Sequence, residues 1–151
     1  MGLRQYVTIA SCMALITPVD AQTLDAVIGG TRHQLEIVDD VPSRQRGLMG
    51  RTTLANATGM LFDFPIGTRP AIWMRHMHMA LDLLFVDDQA RVAQIFAEVP
   101  PCKKLPCPVY QADRALRFVI ELAPGSAQAL GLELGDQLDL GGREHMPPPD
   151  S

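Results

Sequence analysis

The run of four apolar residues at positions 83–86, Leu-Leu-Phe-Val, constrains the fold of this chain more than any other feature. A continuous apolar run of that length fits a strand that is buried on both faces of a sheet. It lies in a longer stretch, residues 73–87, that also holds the only Trp, three of the eight Met and two of the four His. No other segment combines so much material for packing with so much potential chemistry.

Shorter segments with alternating apolar residues predict the other strands. Residues 91–99 follow a turn and are expected to pair with residues 83–86 as a hairpin. The remaining predicted strands are residues 33–38, 60–64, 71–75, 117–122 and 137–140, the last of which would close the sheet. We therefore predict one mainly β (α+β) domain, a single compact antiparallel β-sheet or barrel-like fold with two short helices.

The ends of the two helices carry recognisable signals. Asp40 and Pro42 are typical of a helix N-terminus, so the first helix should occupy about residues 41–49. The second is predicted at residues 126–130, with Ser126 as its cap.

The amino terminus is typical of a secretory signal. Arg4 supplies a positive charge, residues 6–16 form an apolar core, and Ala21 offers a cleavage site. The core is shorter than the roughly 20 apolar residues of a membrane span, and lipidation at Cys12 is the other alternative. We expect an exported, periplasmic protein with a signal peptide at 1–21, a β-rich domain at 22–141 and a flexible tail at 142–151.

Cleavage after Ala21 would remove one of the three Cys residues. The remaining pair, Cys102 and Cys107, predicts a disulfide because exported proteins meet an oxidising environment. A zinc site is a poorer interpretation, since no His lies near enough to complete a ligand set.

Composition excludes several classes of function. The formal net charge of −4 and the pI near 5.4 argue against a nucleic-acid partner, which requires a basic face. The sequence has no Gly-x-Ser-x-Gly elbow, Gly-rich phosphate loop or zinc-protease motif. We expect no cofactor and, after removal of the signal, no membrane association.

Arginines and carboxylates offer the main chemistry for recognition. Arg46, Arg51 and Arg75 could bind an anionic group, and Asp82 or Glu121 could hold them in place. Asp82 is the candidate catalytic residue, with the alternative that it is a buried partner of an Arg or of backbone amides. The predicted ligand-binding residues are Arg46, Met49, Arg51, Trp73, Met74, Arg75, Asp82, Tyr110 and Glu121.

The sequence His76-Met77-His78-Met79 contains imidazole and thioether groups that suit Cu(I). In an extended segment the two His would share one face and the two Met the other, so a mixed metal site would need a bend. The alternative is a polar loop in which the Met side chains pack.

Four ordered blocks resemble the domain-of-unknown-function 192 family of small prokaryotic proteins, many of them exported. The resemblance covers about residues 33–140 and implies a compact, mostly β fold without an assigned activity. The blocks are Arg46-Gly47-Leu48-Met49-Gly50-Arg51, Gly59-Met60-Leu61-Phe62, Trp73-Met74 with Leu81-Asp82 and Phe85-Val86-Asp87, and Phe118-Val119-Ile120-Glu121-Leu122.

The chain departs from the usual family pattern after Trp73 and Met74. The family commonly has Lys-Asn-Thr there and a Pro before the Leu-Asp pair, so no role of that Asn or Pro can be carried over. The residues at these positions are Arg75, His76, Met77 and Ala80.

We also expect the first helix to pack against the strand carrying Trp73, with Gly47 allowing a close approach.

Three classes of function follow from these residues. A non-catalytic module that binds a small anionic molecule or a peptide end is the first, because the sequence offers recognition chemistry without a nucleophile. The second is a small hydrolase or lyase that uses Asp82 with arginines, which a cleft containing Arg75, Asp82 and Tyr110 would favour. The third is a copper-handling protein.

Overall fold

The computed structural model describes residues 22–150, and the predicted signal peptide lies outside them. Its strands are β1 (Thr23–Ile28), β2 (Thr31–Val38), β3 (Thr58–Asp63), β4 (Ala71–Trp73), β5 (Leu81–Val86), β6 (Val92–Val99), β7 (Val109–Gln111) and β8 (Phe118–Leu122). Its helices are α1 (Val41–Arg46), α2 (Ser126–Ala129) and a 3-10 turn (Arg143–His145).

Six strands form one sheet in the order β1-β2-β3-β8-β5-β6, and β4 and β7 form a small second sheet. The prediction of a mainly β fold with two short helices is confirmed. The prediction of an antiparallel or barrel-like sheet needs correction, because β2 and β3 are parallel and the described strands form an open sheet. The segment between β2 and β3 carries α1 and returns the chain to the same end of the sheet, which makes that pair parallel.

The large sheet has an apolar layer on each face. Along β3, Leu61 faces one layer, while Met60 and Phe62 face the other. The first layer is completed by α2 and the segment 138–140. The second layer is completed by Leu48 after α1 and by the small sheet. The continuously apolar run in β5 follows from this arrangement, because every side chain of β5 is buried.

Helix α1 is shorter than the sequence predicts. The Asp40 side chain accepts a hydrogen bond from the Ser43 amide, and a Pro lies in the first turn, as expected for this N-terminus. The helix ends at Arg46 rather than near residue 49, because Gly47 has a φ of +46°. A residue with positive φ cannot continue a right-handed helix.

The segment expected to be a tail, residues 142–151, contains the 3-10 turn and the buried side chain of Arg143. Arg143 is buried and binds Asp63 at 2.7 Å and Asp39 at 2.8 Å. Arg117 binds the same Asp63 through two contacts of 2.9 and 3.1 Å. The predicted strand 137–140 forms only isolated bridges, to Val27 and Arg91, and does not close the sheet.

A disulfide joins Cys102 and Cys107, as predicted, with their Cα atoms 5.6 Å apart. It holds the loop between β6 and β7. Within residues 22–150, no helix has the length and apolar character needed to cross a membrane.

Candidate functional site

A cavity of about 330 Å³ lies between α1, the loop that follows it, and strands β3, β4 and β8. Most of its wall is apolar and comes from four separate parts of the chain. The lining residues are Val41, Arg44, Gln45, Arg46, Gly47, Leu48, Met49, Phe62, Phe64, Ala71, Ile72, Trp73, Met77 and Glu121. A cavity of this size, apolar with a few polar groups, is typical of small-ligand sites.

Glu121 is the polar group buried at this cavity. It lies on the central strand β8, directly opposite Met60 of β3 and Leu83 of β5. Glu121 is only 5% exposed, and its Oε2 atom has no hydrogen-bond partner among the described residues. A buried polar atom without a partner is costly, so a native structure that retains one calls for an explanation.

Burial raises the pKa of Glu121 from 4.5 to about 8. The cause is desolvation, because the apolar surroundings disfavour the charged carboxylate. At neutral pH the side chain is therefore mostly a protonated acid that can donate a hydrogen bond. This is a perturbed carboxyl group in a cavity, a combination found preferentially at functional sites.

Two arginines of the α1 region line the cavity and have different surroundings. Arg44 donates hydrogen bonds to the main-chain oxygens of Asp39 and Asp63, and its guanidinium lies 5.4 Å from the centre of the Phe64 ring. Arg46 is exposed, and its side chain makes no hydrogen bond or ion pair with the described residues. Arg44 therefore has a structural role, whereas Arg46 is available to a ligand.

Trp73 forms part of the cavity wall while remaining 49% exposed. The guanidinium of Arg75 lies 5.7 Å from the centre of its ring, a cation–π contact. A half-exposed Trp beside an Arg is a residue pair typical of binding sites.

The structure brings four of the nine predicted ligand-binding residues to the cavity: Arg46, Met49, Trp73 and Glu121. Arg51 lies elsewhere, in a two-contact ion pair with Glu36 at 2.5 and 2.6 Å. Met74 is buried in the core, and Tyr110 packs edge-to-face against Phe96.

Asp82 is separate from the cavity and serves another element. Its carboxylate accepts hydrogen bonds from the backbone amides of Glu98 (2.7 Å), Gly125 (3.1 Å) and Ala127 (2.7 Å). It thus caps α2 from outside the helix, in place of the predicted Ser126 cap. Arg75, Asp82 and Tyr110 do not line the cavity, so the cleft that would favour the enzyme interpretation is not formed by them.

The two His and two Met of the predicted copper segment face different surroundings. His76 and His78 are exposed, whereas Met77 and Met79 pack against the apolar layer that contains Met74. Among residues 22–150, no cluster of three or more His, Cys, Asp or Glu side chains is placed to hold a metal.

Several lining residues were not predicted from the sequence. Phe62 and Phe64 belong to the segment 60–64, which was predicted only as a strand. Ile72 is buried in β4, and Val41 begins α1. The available signal was Glu121 itself, the one charged residue within the otherwise apolar strand β8.

Comparisons with known proteins agree with this fold. A crystal structure from Sinorhizobium meliloti 1021, named a "putative transcription regulator", has a TM-score of 0.74 and 27% identity, covering 83% of this chain and 99% of its own. A protein of unknown function from Novosphingobium aromaticivorans DSM 12444 has a TM-score of 0.69 and 28% identity, covering 90% and 99%. No curated protein matches the chain. Residues 24–140 match the sequence profile of DUF192 (Uncharacterized ACR), and the protein belongs to the DUF192 family.

Proposed function

We propose that this protein is a non-catalytic binding module that takes up a small carboxylate-bearing molecule or a peptide end in the Glu121 cavity. The observation that carries the proposal is the buried Oε2 atom of Glu121, which lacks a partner beside a cavity of about 330 Å³. A bound ligand would supply that partner and recover the cost of burying the group.

The chemistry of the lining selects the ligand. The protonated Glu121 can donate a hydrogen bond to a ligand oxygen, and Arg46 can bind a negative charge. Phe62, Ile72 and Met77 offer an apolar surface to the rest of the molecule. A short carboxylate with an apolar body satisfies all three requirements.

Calorimetric titration with octanoate tests this proposal, with octanol as the uncharged comparison. We expect octanoate to bind the wild type at pH 6.5 and octanol to bind at least tenfold more weakly. Loss of the charge-assisted contact in Arg46→Ala should cost about 1.5–3 kcal/mol of binding. Arg91→Ala is the matched control, because Arg91 is exposed and does not line the cavity.

If Arg46→Ala and the wild type bind octanoate with equal affinity, Arg46 does not contact the ligand. No heat of binding for octanoate, together with an unchanged melting temperature at millimolar concentration, would contradict the proposal as a whole.

We further propose that the protein is exported to the periplasm. The apolar amino terminus and the Cys102–Cys107 disulfide support this location. Intact-mass measurement of the protein from the periplasmic fraction should give a chain that begins at Gln22 and contains no free thiol. A chain that retains its first 21 residues would contradict this expectation.

The name of the Sinorhizobium meliloti structure suggests regulation of transcription for that protein. The net charge of −4 weighs against direct contact between this chain and DNA, which attracts basic surfaces. Ligand binding therefore remains the function that we propose.

A further inference from the structure

Among residues 22–150, strand β4 has one paired edge and one free edge. It pairs with β7 alone, in an antiparallel register that places Ile72 opposite Tyr110. The Ala112 amide donates to the Pro70 oxygen at 2.9 Å, so these two residues are a hydrogen-bonded pair of the ladder. Along antiparallel strands, hydrogen-bonded residue pairs alternate with pairs that share no hydrogen bond. Ile72 therefore points its amide and carbonyl toward β7, while Ala71 and Trp73 point theirs away from it.

The outward backbone groups of Ala71 and Trp73 have no partner among the described residues. Both residues are exposed, and both line the Glu121 cavity. An unpaired strand edge is a template for a further strand. Here it lies beside a second, independent sign of a missing ligand, the unpartnered and buried carboxyl oxygen of Glu121.

We propose that β4 binds the carboxyl-terminal end of an extended peptide as an added strand, with one peptide side chain in the Glu121 cavity and the terminal carboxylate at Arg46. This inference rests on the proposed function and names its ligand class. Backbone pairing with Ala71 and Trp73 supplies affinity for any peptide, and the cavity selects the side chain.

Three observations favour a chain end over the middle of a long strand. The edge is only three residues long, Ala71–Trp73, and only two of these residues direct their backbone groups outward. The cavity has a volume near the lower limit of small-ligand sites, enough for a side chain and an adjacent carboxylate. Arg46 places an available positive charge there on a protein whose net charge is −4.

The peptide side chain in the cavity should be uncharged and should combine apolar methylene groups with an acceptor atom, such as the amide oxygen of Gln or the thioether sulfur of Met. Phe62 and Met77 provide apolar contacts, and Glu121 provides the acid that donates. The other charged groups lining the cavity are Arg44, which is held by main-chain oxygens, and Arg46. A Gln or Met side chain therefore suits the cavity better than Lys or Arg, whose charge would meet two arginines.

The test uses the mature chain labelled with ¹⁵N and a pool of N-acetylated hexapeptides with Gln, Met or Leu at each of the last three positions. One pool has free carboxyl termini, a second has carboxamide termini, and a third is N-methylated on the last three amides. We expect the first pool to shift the amide resonances of Ala71 and Trp73 and to protect these amides from hydrogen exchange.

The carboxamide pool should bind about tenfold more weakly or worse, since it lacks the charge-assisted contact. The N-methylated pool should bind several-fold more weakly, because it lacks backbone donors for the β4 carbonyls. Both losses arise from the peptide, so neither depends on a variant protein that might fail to fold. Arg46→Ala should abolish the difference between the acid and carboxamide pools, whereas Arg91→Ala should preserve it.

The outcomes separate this inference from the proposed function. Octanoate binding without peptide-induced shifts at Ala71 and Trp73 would overturn the peptide inference and leave small-ligand binding intact. Equal affinity of the acid and carboxamide pools would overturn the chain-end assignment. Shifts of the same two amides that grow with protein concentration alone would assign the edge to a second copy and overturn the inference. Failure of both octanoate and the peptides would contradict both proposals.

Discussion

At the scale of single residues, Glu121 carries the functional argument because its surroundings are apolar on both neighbouring strands. Met60 and Leu83 lie directly opposite it, and the alternation of β8 directs it to the same layer as Val119. The Oε2 atom of Glu121 makes no hydrogen bond with the described residues, so no such bond offsets the cost of burying it. The ligand that we propose for the cavity would explain the retention of Glu121 there.

The stability of the protein should depend on pH through this residue. Burial raises the pKa of Glu121 from 4.5 to about 8, so the folded state binds the proton more tightly than the unfolded chain. The resulting stability is complete below about pH 4.5 and is lost as the pH rises through about 8. Glu121→Gln keeps the shape and removes the titration.

Thermal unfolding of the wild type and Glu121→Gln at pH 5, 7 and 9 measures this effect. We expect similar melting temperatures at pH 5 and a wild type that falls progressively below the variant toward pH 9. Other titrating groups change both proteins alike, so the difference isolates Glu121. If the difference in melting temperature between the wild type and Glu121→Gln is the same at all three pH values, the pKa of Glu121 is not raised.

At the scale of elements, Gly47 determines where α1 ends and how the cavity begins. The sequence predicts that this glycine lets the helix approach the strand carrying Trp73. In the structure, a Cβ built on Gly47 would lie 3.1 Å from the Cζ atom of Phe62, on β3. Helix α1 and Trp73 both line the cavity.

Gly47→Leu should therefore lower the melting temperature by several degrees. The substitution combines the strain of a φ of +46° with overpacking against Phe62, which costs roughly 1–3 kcal/mol. Gly50→Leu is the matched control, because Gly50 has a φ of +81° but open space around its Cβ position. A loss in Gly47→Leu no larger than that in the control would refute the contact with Phe62.

The segment 143–145 is held to the domain by charge rather than by apolar burial. Arg143 shares the buried Asp63 carboxylate with Arg117, and sequence patterns gave no indication of this network because its members are far apart in the chain. Arg143→Ala should cost about 1.5–3 kcal/mol, the value for hydrogen bonds to charged groups.

Urea denaturation of Arg143→Ala and of Arg114→Ala compares a buried with an exposed ion pair. Arg114 contacts Asp87 at 4.0 Å and its side chain is 56% exposed, so its removal should change stability by less than about 1 kcal/mol. Equal losses in the two variants would contradict the structural role of Arg143.

At the scale of the whole molecule, the sequence predicted the strands better than their arrangement. Alternation and the run at 83–86 located β2, β3, β4, β5, β6 and β8, because side-chain burial on a sheet leaves a local pattern. The parallel pairing of β2 with β3 depends on a crossover that no local pattern encodes. The short strand β7, Val109–Gln111, was missed because it follows a loop rich in proline.

The cavity could be predicted only in part, because its walls come from segments that are far apart in the chain. Arg46, Met49, Trp73 and Glu121 were identified by their residue type and their position in the family blocks. The contributions of Phe62, Phe64 and Ile72 require knowledge of which faces meet. For Asp82, the hydrogen bonds match the alternative of a buried partner of backbone amides, but the sequence could not tell which amides, because the helix that it caps lies more than 40 residues away.

The disulfide should contribute modestly to the stability of the whole domain. Closing the short loop between Cys102 and Cys107 stabilises the fold by about 2 kcal/mol in the chain-entropy account. The double variant Cys102→Ala/Cys107→Ala should therefore show a lower melting temperature that no longer responds to reductant. A wild type whose melting temperature is unchanged by reductant would indicate that the bridge adds no stability.

The most direct measurement of the central claim is an NMR titration of the Glu121 side-chain carboxyl carbon, with and without saturating octanoate. We expect a midpoint near pH 8 in the free protein. When octanoate occupies the cavity, both this midpoint and the chemical shift of the carboxyl carbon should change further, because the ligand would contact the carboxyl group. A midpoint near 4.5 that octanoate leaves unchanged would contradict the claim that Glu121 is a buried acid at a ligand site.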